Sequence, residues 1–122
     1  MPKKILIVDD IFSNRLLLSS TLDSIGIESE SVVNGQEAIY AIEKSEFGMV
    51  FLDIEMPVMN GIETAQYIRT EMADEYSKIP IIALTAHNPA EYGSRMNKAG
   101  FNEILSKPYS VEKLGNIIEK YL

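Results

Sequence analysis

Four short apolar runs in this chain each stop at a polar residue able to do chemistry. Residues 4–8 run into Asp9 and Asp10, residues 48–52 into Asp53, residues 79–84 into Thr85, and the weaker run 101–105 into Ser106, Lys107 and Pro108. A continuous apolar run of about five residues suits a strand buried on both faces, as in a parallel sheet. A fifth, more polar segment, residues 27–33, reads as an edge strand ended by Asn34 and Gly35.

The segments between the runs carry helical period. Leu18, Leu22 and Ile25 fall at i, i+4, i+7, and Gly26 is a stop signal. Ala38 with Ile42, and Ala65 with Ile68 and Met72, mark the next two helices. Asn88 is a capping residue followed by Pro89 at the first helical position, and Tyr92, Met96 and Ala99 follow on one face. Val111, Leu114, Ile118 and Tyr121 mark the last helix, with Ser110 as its cap. Strand and helix alternate five times. The expected fold is α/β, a doubly wound five-stranded parallel sheet, as one domain over residues 1–122.

In such a sheet the site forms outside the carboxyl ends of the strands. Asp9, Asp10, Asp53, Thr85 and Lys107 therefore converge on one edge. Each alone has a plain structural reading: an Asp after a strand is commonly a cap or turn residue, and Lys107-Pro108 could be a solvated turn. It is the convergence of all five that favours a site. Three close carboxylates repel, and a hard divalent cation such as Mg²⁺ or Mn²⁺ relieves this with oxygen ligands. Asp9 and Asp10 are adjacent and suit a metal-holding pair. Asp53 stands alone on a central strand and suits a nucleophile towards phosphorus, giving an aspartyl phosphate. Lys107 and the metal would neutralise charge on the transferring group, and the Thr85 hydroxyl would bond the product.

Composition narrows the function classes. The formal net charge is −7, so nothing favours counterion release on DNA, and direct nucleic-acid binding is not expected. The chain has no cysteine, which excludes disulfides and thiolate metal sites. No apolar stretch approaches the roughly 18 residues of a membrane span, and the amino terminus is no signal peptide. A soluble, cytoplasmic protein is expected.

The segments Ile-Leu-Ile-Val-Asp9-Asp10, Leu-Asp53-Ile-Glu-Met-Pro57-Val-Met-Asn-Gly61, Ile-Pro-Ile-Ile-Ala-Leu-Thr85-Ala86 and Ser-Lys107-Pro108 together resemble the receiver domain of response regulators. The resemblance spans essentially the whole chain. It implies a flavodoxin-like sheet of order 2-1-3-4-5, Asp53 as the phosphoacceptor, and Mg²⁺ (or Mn²⁺) held by Asp9, Asp10, Asp53 and the backbone carbonyl of Glu55. It implies that Thr85, Lys107 and backbone N–H groups near Glu55 and Ala86 contact the phosphoryl group. Pro57 and Gly61 would shape the loop after the acceptor, and the small Ala86 would leave access. The implied partners are a histidine kinase or a histidine phosphotransfer domain. A downstream protein or a second copy would use the face made by residues 88–99, strand five and the last helix. The stretch Asp-Asp-Ile-Phe-Ser-Asn-Arg, with Leu-Ser-Lys-Pro, looks more like receivers of hybrid kinases and phosphorelays than like those of transcription factors.

One position departs from that pattern. Many receivers carry Tyr or Phe three residues before the Lys, and here that residue is Ile104. Being stiff about χ1, Ile104 cannot reorient as a flat ring does, so a response is expected mainly through the backbone of residues 85–89. Glu55 and His87, two residues beyond Asp53 and Thr85, are expected to flank the phosphoryl group and govern access of the hydrolytic water.

Three other classes compete. An aspartyl-phosphate phosphohydrolase of the haloacid-dehalogenase kind would need an Asp where Glu55 stands, and more chain for a cap. A flavin module would need a phosphate-cradling loop after strand one, where Asp9 and Asp10 would repel a phosphate. A metal-binding protein without phosphotransfer would leave the acceptor set unexplained. His87, the chain's one histidine, reads otherwise as a surface loop residue, and Met56 and Met59 as loop packing, because a thioether is a poor Mg²⁺ ligand.

Overall fold

A computed structural model describes residues 3–56, 59–86, 96 and 98–122. Five parallel strands form one sheet in the order β2-β1-β3-β4-β5. They are β1 (Lys4–Val8), β2 (Ser29–Val32), β3 (Phe47–Asp53), β4 (Ile81–Thr85) and β5 (Glu103–Ser106). The connections supply α1 (Phe12–Ser24), α2 (Gly35–Lys44), α3 (Gly61–Glu71), a short α4 (Asp74–Ser77) and α5 (Val111–Tyr121). Met96, Lys98 and Ala99 are also helical. Asn88, Pro89 and Tyr92, expected to open that helix, lie outside the described residues, as do Pro57 and His87. Among the described residues, no helix is long and apolar enough to cross a membrane.

Alternation along the strands divides the core in two. Leu6, Val8, Val50, Leu52, Ile81 and Ala83 face Ala38 and Ile42 of α2, Ala65 and Ile68 of α3, and Met96 and Ala99. Ile5, Ile7, Met49, Phe51, Ile82, Leu84 and Leu105 face Leu18 and Leu22 of α1 and Leu114 and Ile118 of α5. β1, β3 and β4 are apolar on both sides because helices cover both sides. β2 is an edge strand with no buried residue, as its polar sequence predicts.

Local chemistry sets the boundaries. Asn34 and Ser110 cap α2 and α5 by accepting from Glu37 N and Lys113 N. Asn60 and Glu63 form a reciprocal capping box at α3. Gly26 closes α1 at φ +80°, where a side chain is disfavoured.

Two apolar positions on the expected helical faces differ. Ile25 lies past the end of α1 and is 43% exposed, and Val111 opens α5 and is 58% exposed. Both sit in terminal turns that swing away from the sheet. The four-residue α4, too short to show a period, was not expected.

Candidate functional site

The strand register brings the expected residues together. Val8 lies beside Leu52, so Asp9 follows at the level of Asp53, and Asp53 itself pairs with Leu84, one residue before Thr85. Thr85 pairs with Ser106, and Lys107 N donates to Thr85 O at 2.7 Å. The side chains of β1, β3, β4 and β5 that carry chemistry thus meet at one edge of the sheet.

Each carboxylate is held differently. Asp9 is 1% exposed: its Oδ1 accepts from Ile11 N at 2.9 Å, its Oδ2 from Lys107 Nζ at 3.3 Å, and its backbone O from Arg15 Nη1 at 2.8 Å. Asp10 is exposed. Asp53 is 4% exposed, and its Oδ1 accepts from Glu55 N at 3.0 Å. One carboxylate oxygen from each of Asp9, Asp10 and Asp53 lies within 4.8 Å of the others. Burial pushes the Asp53 carboxyl up from 3.8 to about 6, against the lowering effects of the Glu55 N–H and Lys107, while Asp9 and Asp10 add to the rise.

Three hard oxygens around one point, two of them on groups that raise the cost of ionising Asp53, fit a small divalent cation with open positions for water. The pair Lys107–Asp9 places an ammonium beside the cluster. Gly61 packs directly behind the acceptor: a Cβ there would stand 2.5 Å from Asp53 O and 2.6 Å from Ile54 Cα. The glycine expected to shape this loop therefore does so through close backbone approach.

Thr85 is fully buried and Ala86 exposed. Ala86 lines a cavity of about 380 Å³ with Asp9, Asn14, Leu17, Leu84, Lys107, Pro108 and Tyr109. Ile104 is half-buried in β5, paired with Ala83 and packed on the α2–α3 side of the core. The Glu55 side chain is exposed beside the acceptor and does not belong to the carboxylate cluster. Sequence reasoning missed Asn14, Arg15 and Tyr109 as neighbours of the site. Asn14 and Arg15 fall in the first turn of α1, which β1 aims back over the sheet edge, and that spacing was the available signal.

Comparison with known proteins agrees. Residues 5–119 match the response regulator receiver domain. The chain is 34% identical to the sensor protein GacS of Pseudomonas syringae pv. syringae over 97% of its own length and spans 13% of the length of that protein. It superposes on the chemotaxis protein CheY4 of Vibrio cholerae with a TM-score of 0.91, 32% identity and full coverage of both chains. The receiver domain of sensor histidine kinase PA1611 from Pseudomonas aeruginosa PAO1, described with a magnesium ion coordinated in the active-site cleft, has a TM-score of 0.88 and 27% identity, over 99% of this chain and 98% of that one. A dehalogenase-like hydrolase is not supported. The match over nearly the whole chain, on a five-stranded parallel sheet with an acidic cluster at its carboxyl edge, places the chain in the response regulator receiver domain family, the phosphoacceptor module of two-component signalling.

Proposed function

We propose that Asp53 accepts the phosphoryl group from a phosphohistidine on a histidine kinase or histidine phosphotransfer domain. The observation that carries this is the cluster itself: three carboxylates within 4.8 Å, one of them buried at the end of the central strand. A carboxylate oxygen of Asp53 forms the new O–P bond as the P–N bond to the donor imidazole breaks, and that imidazole leaves with a proton from solvent. Asp9, Asp10, Asp53 and the backbone carbonyl of Glu55 would hold Mg²⁺ or Mn²⁺, which when bound neutralises charge on the transferring oxygens. The Lys107 ammonium moves from Asp9 to the product, and the Thr85 hydroxyl donates to it. Ala86 leaves the approach open. Glu55 and His87 set how readily water reaches the product. In this sense the chain catalyses its own phosphorylation and dephosphorylation.

The donor docks on α1. Ile11, Phe12, Leu16 and Leu17 at the start of α1 are 50%, 67%, 52% and 64% exposed, and Leu17 lines the cavity that also takes in Asp9. Output runs through residues 88–99, β5 and α5, which would meet a downstream protein or a second copy. With Ile104 stiff in β5, that surface responds by backbone motion of residues 85–89. A phosphoryl group brings about 1.5 to 2 negative charges to drive it.

Intact-mass spectrometry with Mg²⁺ and a small phosphodonor tests the acceptor. One acid-stable, base-labile phosphoryl adduct is expected on the wild type and none on Asp53→Asn. An adduct persisting on the variant would place the acceptor elsewhere.

A further inference from the structure

Arg15 bonds the backbone of the acidic cluster and, among the described residues, pairs with no carboxylate. Its Nη1 donates instead to the backbone oxygen of Asp9 at 2.8 Å, and its guanidinium lies 5.7 Å from the centroid of the Phe12 ring. A guanidinium commonly pairs with a carboxylate, its strongest partner. Here it is held between an aromatic ring and a carbonyl.

That carbonyl belongs to the peptide joining Asp9 to Asp10. The peptide is planar, so fixing its oxygen fixes the direction in which Asp10 departs. Every other polar atom of Asp9 already has a partner: N bonds Val32 O at 3.2 Å, Oδ1 accepts from Ile11 N, and Oδ2 from Lys107. Asp10, by contrast, is exposed, so the peptide on its amino side is what orients it. Arg15 is the side chain that holds that peptide.

We propose that Arg15 is a positioning residue for the divalent cation: it clamps the Asp9–Asp10 peptide so that both carboxylates converge with Asp53. This rests on the reading that Asp9, Asp10 and Asp53 bind Mg²⁺. The clamp has a signature that separates it from a charge effect. Arg15 is cationic, so removing it should tighten a nearby cation by Coulomb's law if charge alone mattered. If it acts by positioning, removing it weakens the cation instead, as loss of outer-shell partners does.

Calorimetric Mg²⁺ titration of wild type, Arg15→Met, Arg15→Lys and Asp10→Ala decides between them, with thermal melts of the metal-free proteins as the check on folding. Arg15→Met is expected to bind Mg²⁺ about tenfold more weakly than wild type. Arg15→Lys, which keeps the charge and one donor, should fall between the two. In metal-free protein the Asp9 carbonyl carbon and Asp10 amide resonances should shift in Arg15→Met while the strand amides of β3 and β4 stay in place. Unchanged or tighter binding by Arg15→Met, with wild type binding and Asp10→Ala weakened, overturns the clamp and leaves the metal site standing. If wild type fails to bind, or Asp10→Ala binds as well as wild type, the metal site itself is wrong and the clamp falls with it. Should Arg15→Met lose its fold, Arg15→Lys carries the test: binding equal to wild type overturns the clamp.

Discussion

Arg69 and Asp53 are two charges sunk into opposite edges of one sheet, and they are held in opposite ways. At the amino edge, Arg69 Nε donates to Gly100 O at 2.9 Å, Nη1 to Ser77 O at 2.8 Å and Ile79 O at 2.7 Å, and Nη2 to Asn102 Oδ1 at 2.9 Å. Burial lowers its pKa, yet its donors meet neutral acceptors drawn from the chain before β4 and β5. At the carboxyl edge, burial raises the Asp53 pKa to about 6, and the like charges of Asp9 and Asp10 add to the rise. One buried charge is fully answered by the fold and ties α3 to the strands. The other is buried beside two further carboxylates and is answered only in part. A structural charge is recognised by its satisfied partners, and a candidate functional one by burial that the fold leaves uncompensated.

That contrast predicts opposite signs on substitution. Arg69→Ala should cost about 3 kcal/mol, because it leaves three backbone carbonyls without their donor. Urea denaturation should show the loss with and without Mg²⁺; a cost below about 1 kcal/mol would mean that solvent replaces the guanidinium without penalty.

Mg²⁺ should act at the other edge alone. At about one hundred times its dissociation constant it should stabilise wild type by about 2.7 kcal/mol, a gain reversed by a chelator and reduced in Asp10→Ala. Stabilisation of equal size in Asp10→Ala would remove that residue from the site.

Asp53→Asn should stabilise the metal-free protein at pH 7 by about 1 to 2 kcal/mol, allowing for solvent screening at the open edge. The sign follows from linkage. The folded protein holds the Asp53 proton up to about pH 6, whereas the unfolded chain releases it near 3.8. Between those values the folded state binds more protons, so stability falls as pH rises and the cost is fully present above about 6. Denaturation midpoints of metal-free wild type should therefore drop across this window relative to Asp53→Asn, and parallel profiles would contradict the rise.

The smallest stability effect belongs to the exposed face of α1. Leu16→Ser or Leu17→Ser should change stability by less than about 0.5 kcal/mol. The same variants should slow phosphotransfer from a phosphohistidine protein while leaving phosphorylation by a small donor intact. Equal loss with both donors would show damage to the site rather than to docking.

The two edges also differ in how far the sequence revealed them. Asp9, Asp53, Thr85 and Lys107 were legible because each ends an apolar run, and a parallel sheet aligns run ends. The order β2-β1-β3-β4-β5 came from the resemblance, since apolar runs do not say which strands are neighbours. Arg69 was not legible. Three of its partners are backbone carbonyls, which leave no side-chain pattern, and nothing in the sequence around Gly100 shows that its missing Cβ makes room for Arg69 Cγ. Arg15 was legible only as a neighbour, from its place in the first turn of α1; its bond to the carbonyl of Asp9 was not. Side chains that bind side chains leave a trace in sequence; side chains that bind backbone require the fold first.

The central claim is that Asp53 is a buried carboxylate held in reserve for a cation. Titration of side-chain carboxyl ¹³C resonances, with and without Mg²⁺, tests it most directly. The account predicts that metal-free Asp53 titrates near 6, and that saturating Mg²⁺ drives its midpoint below the ordinary aspartate range. An Asp53 midpoint near 4 that Mg²⁺ leaves unmoved would contradict it.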